Sequence, residues 1–136
     1  GRRLHDRFVA GLEALRTRYR RTEPLPVFYQ VWDAPLYTVG GRQIISDALQ
    51  VCGARNLFAD LDLPAPQVSV EAVLQRDPAL IIAADARQLQ SWQRWPQLRA
   101  VKNEQLVVLP DKGLERPSFQ MLAATARLCA LLAPAR

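Results

Sequence analysis

Few side chains in this sequence are grouped in a way that could support catalysis or hold a metal ion. His5 is the only histidine, and the two cysteines, Cys52 and Cys129, stand far apart in the chain. Asp60 and Asp62 could pair as carboxylates, but aspartate and proline punctuate the loop around them, and we expect both to be solvated. Because no nucleophile stands next to a base and no ligands follow zinc-site spacing, the sequence gives little support to an enzyme or a metal centre.

A glycine pair could bind a different kind of ligand. Gly40-Gly41 precedes a predicted helix, and such a loop can cradle a phosphate. Neither a GxGxxG pattern nor a P-loop lysine accompanies the pair. We therefore favour the alternative, a tight turn at the entry to the helix.

Glu71 is a carboxylate whose position has two explanations. It follows the predicted N-cap Ser69 by two positions, whereas a capping box requires three. A carboxylate in a first helical turn gains about 0.3–1 kcal/mol from the helix dipole. Glu71 is thus either a favourable helix charge or a group directed at a partner.

The net charge of +5 is concentrated at one end of the chain. Residues 1–23 hold seven arginines and three acidic residues, which accounts for +4 of it. The same segment has apolar side chains at spacings of three or four, which predicts an amphipathic helix: Leu4, Phe8, Leu12, Leu15 and Tyr19. Such a helix could bind nucleic acid or anionic lipid, but no exposed aromatics or helix-turn-helix partner accompany the charge, so we favour a solvated polar face on a packing helix.

The length of 136 residues fits one domain with its own hydrophobic core. No apolar run approaches the roughly 20 residues needed to cross a bilayer, and no signal peptide is visible. The sequence starts inside the predicted helix, at Gly1-Arg2-Arg3. We interpret it as a fragment or a processed product.

Predicted strands and helices alternate along the rest of the chain. Apolar runs predict strands at residues 27–32, 79–82 and 105–109, with at most an edge strand or turn at 56–58. Periodicity and capping residues predict helices at about 43–52, 69–77, 86–94 and 118–132, and a surface loop at 59–68. This alternation implies parallel pairing and an α/β fold, a three-layer sandwich with a mainly parallel sheet flanked by helices.

Several stretches together resemble one protein family. They are "VFYQVWDAPLYTVGG", "ALQVCGARNLF", "PAPQVSVEAVLQRDPALII", "WPQLRAVKNEQLVVLP" and "LERPS". In order, type and spacing they resemble the C-terminal lobe of the periplasmic substrate-binding proteins of metal-chelate ABC importers. The resemblance runs from about residue 25 to 132 and is strongest to the cobalamin-binding members.

This resemblance implies an architecture and a function. Family members have two α/β lobes joined by a long helix, so residues 1–22 would be the interlobe connecting helix and residues 23–136 the C-terminal lobe. The implied protein is not an enzyme: it captures cobalamin between the lobes, in the periplasm, and delivers it to the permease of an ABC importer. Cobalamin is then a transported ligand and not a cofactor, and no metal or nucleic acid is bound. Haem or an iron-siderophore is the alternative ligand, and nucleic-acid binding through the basic helix is the alternative from another class.

The resemblance also assigns ligand-facing residues. Tyr37 stands where cobalamin binders place an aromatic, Trp32 could extend the same wall, and Arg116 matches a ligand-side arginine. Both aromatics could instead be core residues. Two positions depart from the family: Ala65 replaces an aromatic before "PQVS", and Lys112 replaces an acidic residue four positions before Arg116.

Two further roles come from the same resemblance. Each lobe in these importers presents a surface glutamate to an arginine pocket of the permease, and Glu71 falls at the matching position. Members are exported to an oxidising compartment, so we expect a disulfide between Cys52 and Cys129. The alternative is two buried free cysteines that never meet.

Overall fold

A computed structural model of the chain describes residues 1–110 and 119–136. The helices are α1 (Arg2–Arg18), α2 (Ile44–Val51), α3 (Val70–Arg76), α4 (Ala86–Leu89), α5 (Arg99–Lys102) and α6 (Phe119–Leu132). The strands are β1 (Leu25–Tyr29), β2 (Trp32–Asp33), β3 (Leu36–Tyr37), β4 (Ala54–Asn56), β5 (Leu80–Ala83) and β6 (Leu106–Val108). Arg116 and Lys112 lie outside the described residues.

Four strands form a parallel sheet in the order β4-β1-β5-β6. In its centre Val27 of β1 lies opposite Leu80 of β5, and Tyr29 lies opposite Ile82. Parallel neighbours require crossover connections, which the helices supply. The strands β2 and β3 form a separate antiparallel ribbon directly after β1. The predicted mainly parallel α/β fold is confirmed.

The side chains on the two faces of the sheet enter two separate hydrophobic cores. Successive side chains of a strand point to opposite faces, so Val27 and Leu80 enter one core while Phe28 and Ile81 enter the other. The first core is covered by α2 and α6, and the second by α3, α4 and α5. Because both faces are covered, the strands read as continuous apolar runs. The three-layer arrangement expected from the sequence is confirmed.

The ends of two helices follow the signals in the sequence. After α2, Gly53 takes the left-handed conformation at φ 79°. At the start of α3 the Ser69 Oγ accepts a hydrogen bond from the Ala72 N–H at 3.0 Å. At its end Asp77 is left-handed, with φ 48°, and Pro78 follows. The predicted N-cap Ser69 and the predicted end of this helix at about residue 77 are confirmed.

Some predicted elements have different bounds in the structure. The predicted strand 27–32 leaves the sheet after Tyr29, because the Val31 N–H bonds to the Tyr37 carbonyl at 2.8 Å and begins the ribbon. The predicted helix 86–94 is α4 followed by a 3-10 segment, Gln90–Arg94, which places Trp92 in the core. Helix α5 was not predicted, since four residues carry too little periodicity.

Helix α1 packs on α6 and α2, but none of its residues is fully buried. Its stripe Leu12, Leu15 and Tyr19 rests against the first core, while Leu4 is exposed. After the helix, Arg21 donates to the carbonyls of Leu132 at 2.9 Å and Ala135 at 3.1 Å. A cationic donor is favourable at the C-terminal end of a helix, so Arg21 caps α6.

A disulfide joins the two core helices on the first face. Cys52, at the end of α2, is bonded to Cys129 in α6, with Cα atoms 4.7 Å apart and a sequence separation of 77. Both cysteines are buried. The predicted pairing is confirmed, and it joins the end of α2, which precedes β4 in the chain, to α6, which follows β6.

We expect reduction of this disulfide to destabilise the fold. Closing a loop of this length is worth about 4.5 kcal/mol in the chain-entropy model, and native bridges typically contribute about 2–5 kcal/mol. Urea denaturation with and without reductant, with free thiols counted, measures the loss. The Cys52→Ala/Cys129→Ala double variant is the control and should not respond to reductant; equal midpoints for the oxidised and fully reduced protein would contradict the expectation.

Candidate functional site

The carboxyl ends of β1, β5 and β6 lie at one edge of the sheet. In open parallel α/β sheets ligands bind outside this edge, on the loops that leave the strands. Here the loop after β1 is the β2–β3 ribbon, and the loop after β5 leads into α4. Both aromatic residues expected to face a ligand, Trp32 and Tyr37, are therefore at the edge where a binding site is expected.

The ribbon pairs these two aromatics directly. Trp32 lies opposite Tyr37 in the register of β2 and β3. The Trp32 side chain is 45% exposed, and its Nε1–H donates to the Ala34 carbonyl at 3.1 Å. Tyr37 is half-buried, and its backbone pairs with Gln67 in an isolated antiparallel β-bridge. Neither aromatic belongs to the two hydrophobic cores that flank the sheet.

An ion pair lies against the exposed indole. The Arg87 guanidinium donates to both oxygens of Asp33, at 3.1 and 3.4 Å, and its carbon is 5.4 Å from the Trp32 ring centroid. The hydrogen bond from Arg87 holds the pKa of Asp33 below its usual value. Sequence reasoning missed this pair, because Arg87 is 54 positions from Asp33 and lies outside the stretches that carry the family resemblance.

A buried amide connects the strand end to α4. Gln30 is 2% exposed; its Nε2 donates to the Gln88 carbonyl at 2.8 Å, and its Oε1 accepts from the Trp92 Nε1–H at 2.7 Å. Buried polar groups with satisfied hydrogen bonds make a site rigid. Gln30 therefore fixes the start of α4, and Arg87 with it, relative to the end of β1.

The glycine pair forms a tight turn and not a phosphate cradle. The Gly40 N–H bonds to the Pro64 carbonyl at 3.2 Å, and the Gly41 N–H bonds to the Leu61 carbonyl at 3.0 Å. A Cβ on Gly40 would collide with the Leu63 carbonyl. Both N–H groups are occupied by the loop after β4, so the phosphate alternative is wrong and the favoured turn is confirmed.

Asn56 supports this turn from below. Its Nδ2 donates to the Val39 carbonyl at 2.8 Å and to Ser46 Oγ at 3.1 Å, and its Oδ1 accepts from the Phe58 N–H at 3.0 Å. The side chain is 2% exposed. One buried amide thus holds the segment after the ribbon against the edge strand.

The aspartates of the 59–68 loop do not form a carboxylate pair. Asp60 bonds to Arg76 at 2.7 Å, and Asp62 pairs with Arg42 at 2.9 Å. The Arg76 hydrogen bond holds the pKa of Asp60 below its ordinary range. Both carboxylates are exposed, as expected.

Glu71 is exposed in the first turn of α3. Because α3 returns antiparallel to the strands, its start lies at the same edge of the sheet as the ribbon. Backbone hydrogen bonds from Val68 to Leu36 and from Thr38 to Pro66, each 3.0 Å, join the approach to α3 to the ribbon. The exposed carboxylate of Glu71 therefore stands on a helix whose approach is hydrogen-bonded to the ribbon.

Residues 1–110 and 119–136 contain neither a metal-binding cluster nor a helix suited to cross a membrane. In that part of the chain no three histidine, cysteine, aspartate or glutamate side chains are placed to hold a metal ion. None of the helices described there is long and apolar enough to cross a membrane.

Comparison with known proteins gives this geometry a context. No protein-family model matches the chain. Over 131 residues it is 35% identical to a vitamin B12-binding protein of Vibrio cholerae serotype O1, covering 94% of this chain and 47% of the relative. The chain thus spans about half the length of the curated relatives it matches.

Solved structures agree with the sequence match. The crystal structure of the periplasmic vitamin B12 binding protein BtuF of Vibrio cholerae has a TM-score of 0.80 at 35% identity, covering 94% of this chain and 51% of that one. The periplasmic heme binding protein HutB of Vibrio cholerae has a TM-score of 0.78 at 18% identity, covering 98% and 56%. The latter shows the fold alone.

The fold and these matches define a class: in sequence and structure the chain is similar to about half of a periplasmic binding protein. Within that class the 35% identity connects it to vitamin B12-binding proteins, as the sequence motifs indicated. The comparisons do not assign roles to Tyr37, Trp32, Arg116 or Glu71, which remain predictions.

We expect Asn56→Ala to lower the free energy of unfolding by about 2–4 kcal/mol. The substitution leaves two buried carbonyls and the Phe58 N–H without their partner, and each unsatisfied group costs about 1–3 kcal/mol. Urea denaturation measures the change. Gln50→Ala, at an exposed position of α2, is the control and should stay within about 0.5 kcal/mol; similar values for both variants would show that Asn56 does not hold the turn.

Proposed function

We propose that this chain is one lobe of a periplasmic cobalamin-binding protein that captures its ligand without catalysis and delivers it to an ABC importer. The observation that carries the proposal is the pairing of Trp32 and Tyr37 at the carboxyl edge of the sheet, in a chain 35% identical to a vitamin B12-binding protein. Residues 1–22 are the connecting helix and residues 23–136 the ligand-binding lobe in this proposal.

The aromatic pair suits a large, flat ligand. Dispersion and apolar burial scale with contact area, so a corrin ring gains from lying against Tyr37 and Trp32. Arg116 would add a fork of donors for amides or a phosphate group. Ala65, exposed in the loop before α3, gives no stacking area of its own, so the wall depends more heavily on the ribbon.

The charge at the ribbon favours cobalamin over haem. Arg87 is neutralised by Asp33, so this pair offers no spare positive charge to the two carboxylates of haem. The corrin periphery carries neutral amides, which are bound by hydrogen-bonding groups and do not require a positively charged partner. Cobalamin is therefore the proposed ligand, and haem is the competitor to test against it.

The nucleic-acid alternative has little support from the basic segment. Arg21 caps α6, Arg16 pairs with Glu13, and Arg18 lies over the Tyr19 ring. These arginines make contacts within the protein. A solvated helix that packs on the lobe explains the charge without a nucleic-acid partner.

The proposed compartment is the periplasm. A buried disulfide persists in an oxidising environment, and the solved relatives with this fold include periplasmic proteins. We further propose that Glu71 docks on an arginine pocket of the permease. Its exposure on a helix tied to the ribbon supports this role, because a rigid platform presents the carboxylate outward.

Tyr37→Ala should weaken cobalamin binding by the full-length, two-lobed protein. Losing one aromatic contact is worth more than about 1 kcal/mol, a fivefold or larger rise in Kd. Isothermal titration with cyanocobalamin, and with haem as competitor, measures it. Tyr37→Phe keeps the ring and should bind as the parent does; an unchanged Kd for Tyr37→Ala at unchanged stability removes Tyr37 from the site.

Glu71→Gln should reduce cobalamin import through the cognate permease while leaving Kd for cobalamin unchanged. The substitution removes the charge but keeps the size of a side chain outside the ligand wall. Uptake by reconstituted transporter measures import. Glu23→Gln, another exposed carboxylate, is the control; normal import by Glu71→Gln, even with the matching glutamate of the other lobe removed, would refute the docking role.

A further inference from the structure

Trp32 is an exposed indole held by contacts on two sides. Its Nε1–H donates to the Ala34 carbonyl at 3.1 Å, and the Arg87 guanidinium lies over the ring at 5.4 Å. An exposed side chain ordinarily samples several rotamers, and ordering it on binding lowers affinity. Two contacts on one indole favour a single orientation before any ligand arrives.

Arg87 is in turn fixed at both its head and its backbone. The guanidinium makes a bidentate pair with Asp33, which is the next residue after Trp32 on the ribbon. The following residue, Gln88, bonds through its N–H to Asp85 Oδ1 at 3.0 Å and through its carbonyl to Gln30 Nε2 at 2.8 Å. Arg87 therefore connects the ribbon to a segment that a buried network holds in place.

The planar head of arginine is suited to this connection. It can satisfy a carboxylate with two parallel N–H groups while one face lies against an aromatic ring, which a lysine ammonium cannot do. Arg87 remains largely exposed at 57% of its side chain, so hydrophobic burial is not what fixes it. The bidentate pair and the ring contact together define its position.

We propose that Arg87 and Asp33 form a clamp that preorients Trp32 as a wall of the ligand site. Arg87 is thus a positioning residue: it acts through the indole, with Tyr37 completing the same wall. The inference rests on the proposed function in one respect, that the ligand is a corrinoid. The orientation of Trp32 in the unliganded protein does not depend on it.

Fluorine NMR of the full-length protein labelled with 5-fluorotryptophan gives one resonance for each tryptophan, and Trp32→Phe and Trp92→Phe assign the two that matter. In Arg87→Met we expect the Trp32 resonance to shift and broaden while that of buried Trp92 stays in place. Kd for cyanocobalamin should rise about 3- to 10-fold. Arg94→Met, at an exposed arginine in the neighbouring 3-10 segment, should change neither.

Two more variants distinguish positioning from direct ligand contact. Asp33→Asn should reproduce the effect of Arg87→Met, and the double variant should lose no more than either single one. Arg87→Lys, which keeps the charge without the fork, should restore only part of the affinity. Arg87→Met could weaken binding although its Trp32 resonance does not move and Asp33→Asn binds with an unchanged Kd. Arg87 then contacts the ligand directly, and the clamp is refuted. An unmoved resonance with unchanged Kd refutes it as well.

Failure of the proposed function gives a different result. A parent protein that does not bind cyanocobalamin overturns the proposed ligand. The fluorine spectra of the unliganded parent, Arg87→Met and Asp33→Asn then decide the clamp by themselves: a Trp32 shift common to both variants supports it, and its absence refutes it.

Discussion

The structure depends on the parallel pairing of β1 with β5. Helices cover both faces of these strands, so alternate residues such as Val27 and Phe28 enter different cores. A change of register by one residue would exchange the side chains that enter each core. The same pairing sets the positions of the loops that leave the two strands. It places the ribbon after β1 beside the start of α4, which is the arrangement on which the candidate site rests.

Much of this could be predicted from the sequence. The apolar runs gave the strands, while Ser69, Gly53 and Asp77 marked helix ends through local hydrogen bonding and backbone conformation, both of which depend on a few adjacent residues. The site was predicted only in part. Trp32 and Tyr37 belong to a short contiguous stretch, whereas the pairing of Asp33 with Arg87 depends on how two distant strands lie side by side, which no local pattern encodes. Helix α5 was missed for the opposite reason: it is local but too short to be periodic.

Two buried side-chain amides hold the segments at the carboxyl edge of the sheet in place. Gln30 joins β1 to α4 and the 3-10 segment, and Asn56 joins β4 to the turn after the ribbon. A buried amide costs free energy unless its donors and acceptor are satisfied, and in both cases partners from distant parts of the chain satisfy them. Trp32 and Tyr37 therefore stand next to backbone segments that these internal hydrogen bonds hold in place without a ligand.

The cap that Arg21 forms on α6 anchors the C-terminal end of α1 to the first core. The chain leaving α1 is hydrogen-bonded to the end of α6, which the disulfide joins to the end of α2, and the backbone carbonyl of Tyr19 lies close to Gly53 just after α2. A force that pulls the end of α1 away from the first core must therefore break the Arg21 hydrogen bonds to α6, while the disulfide keeps α6 and α2 together under that load.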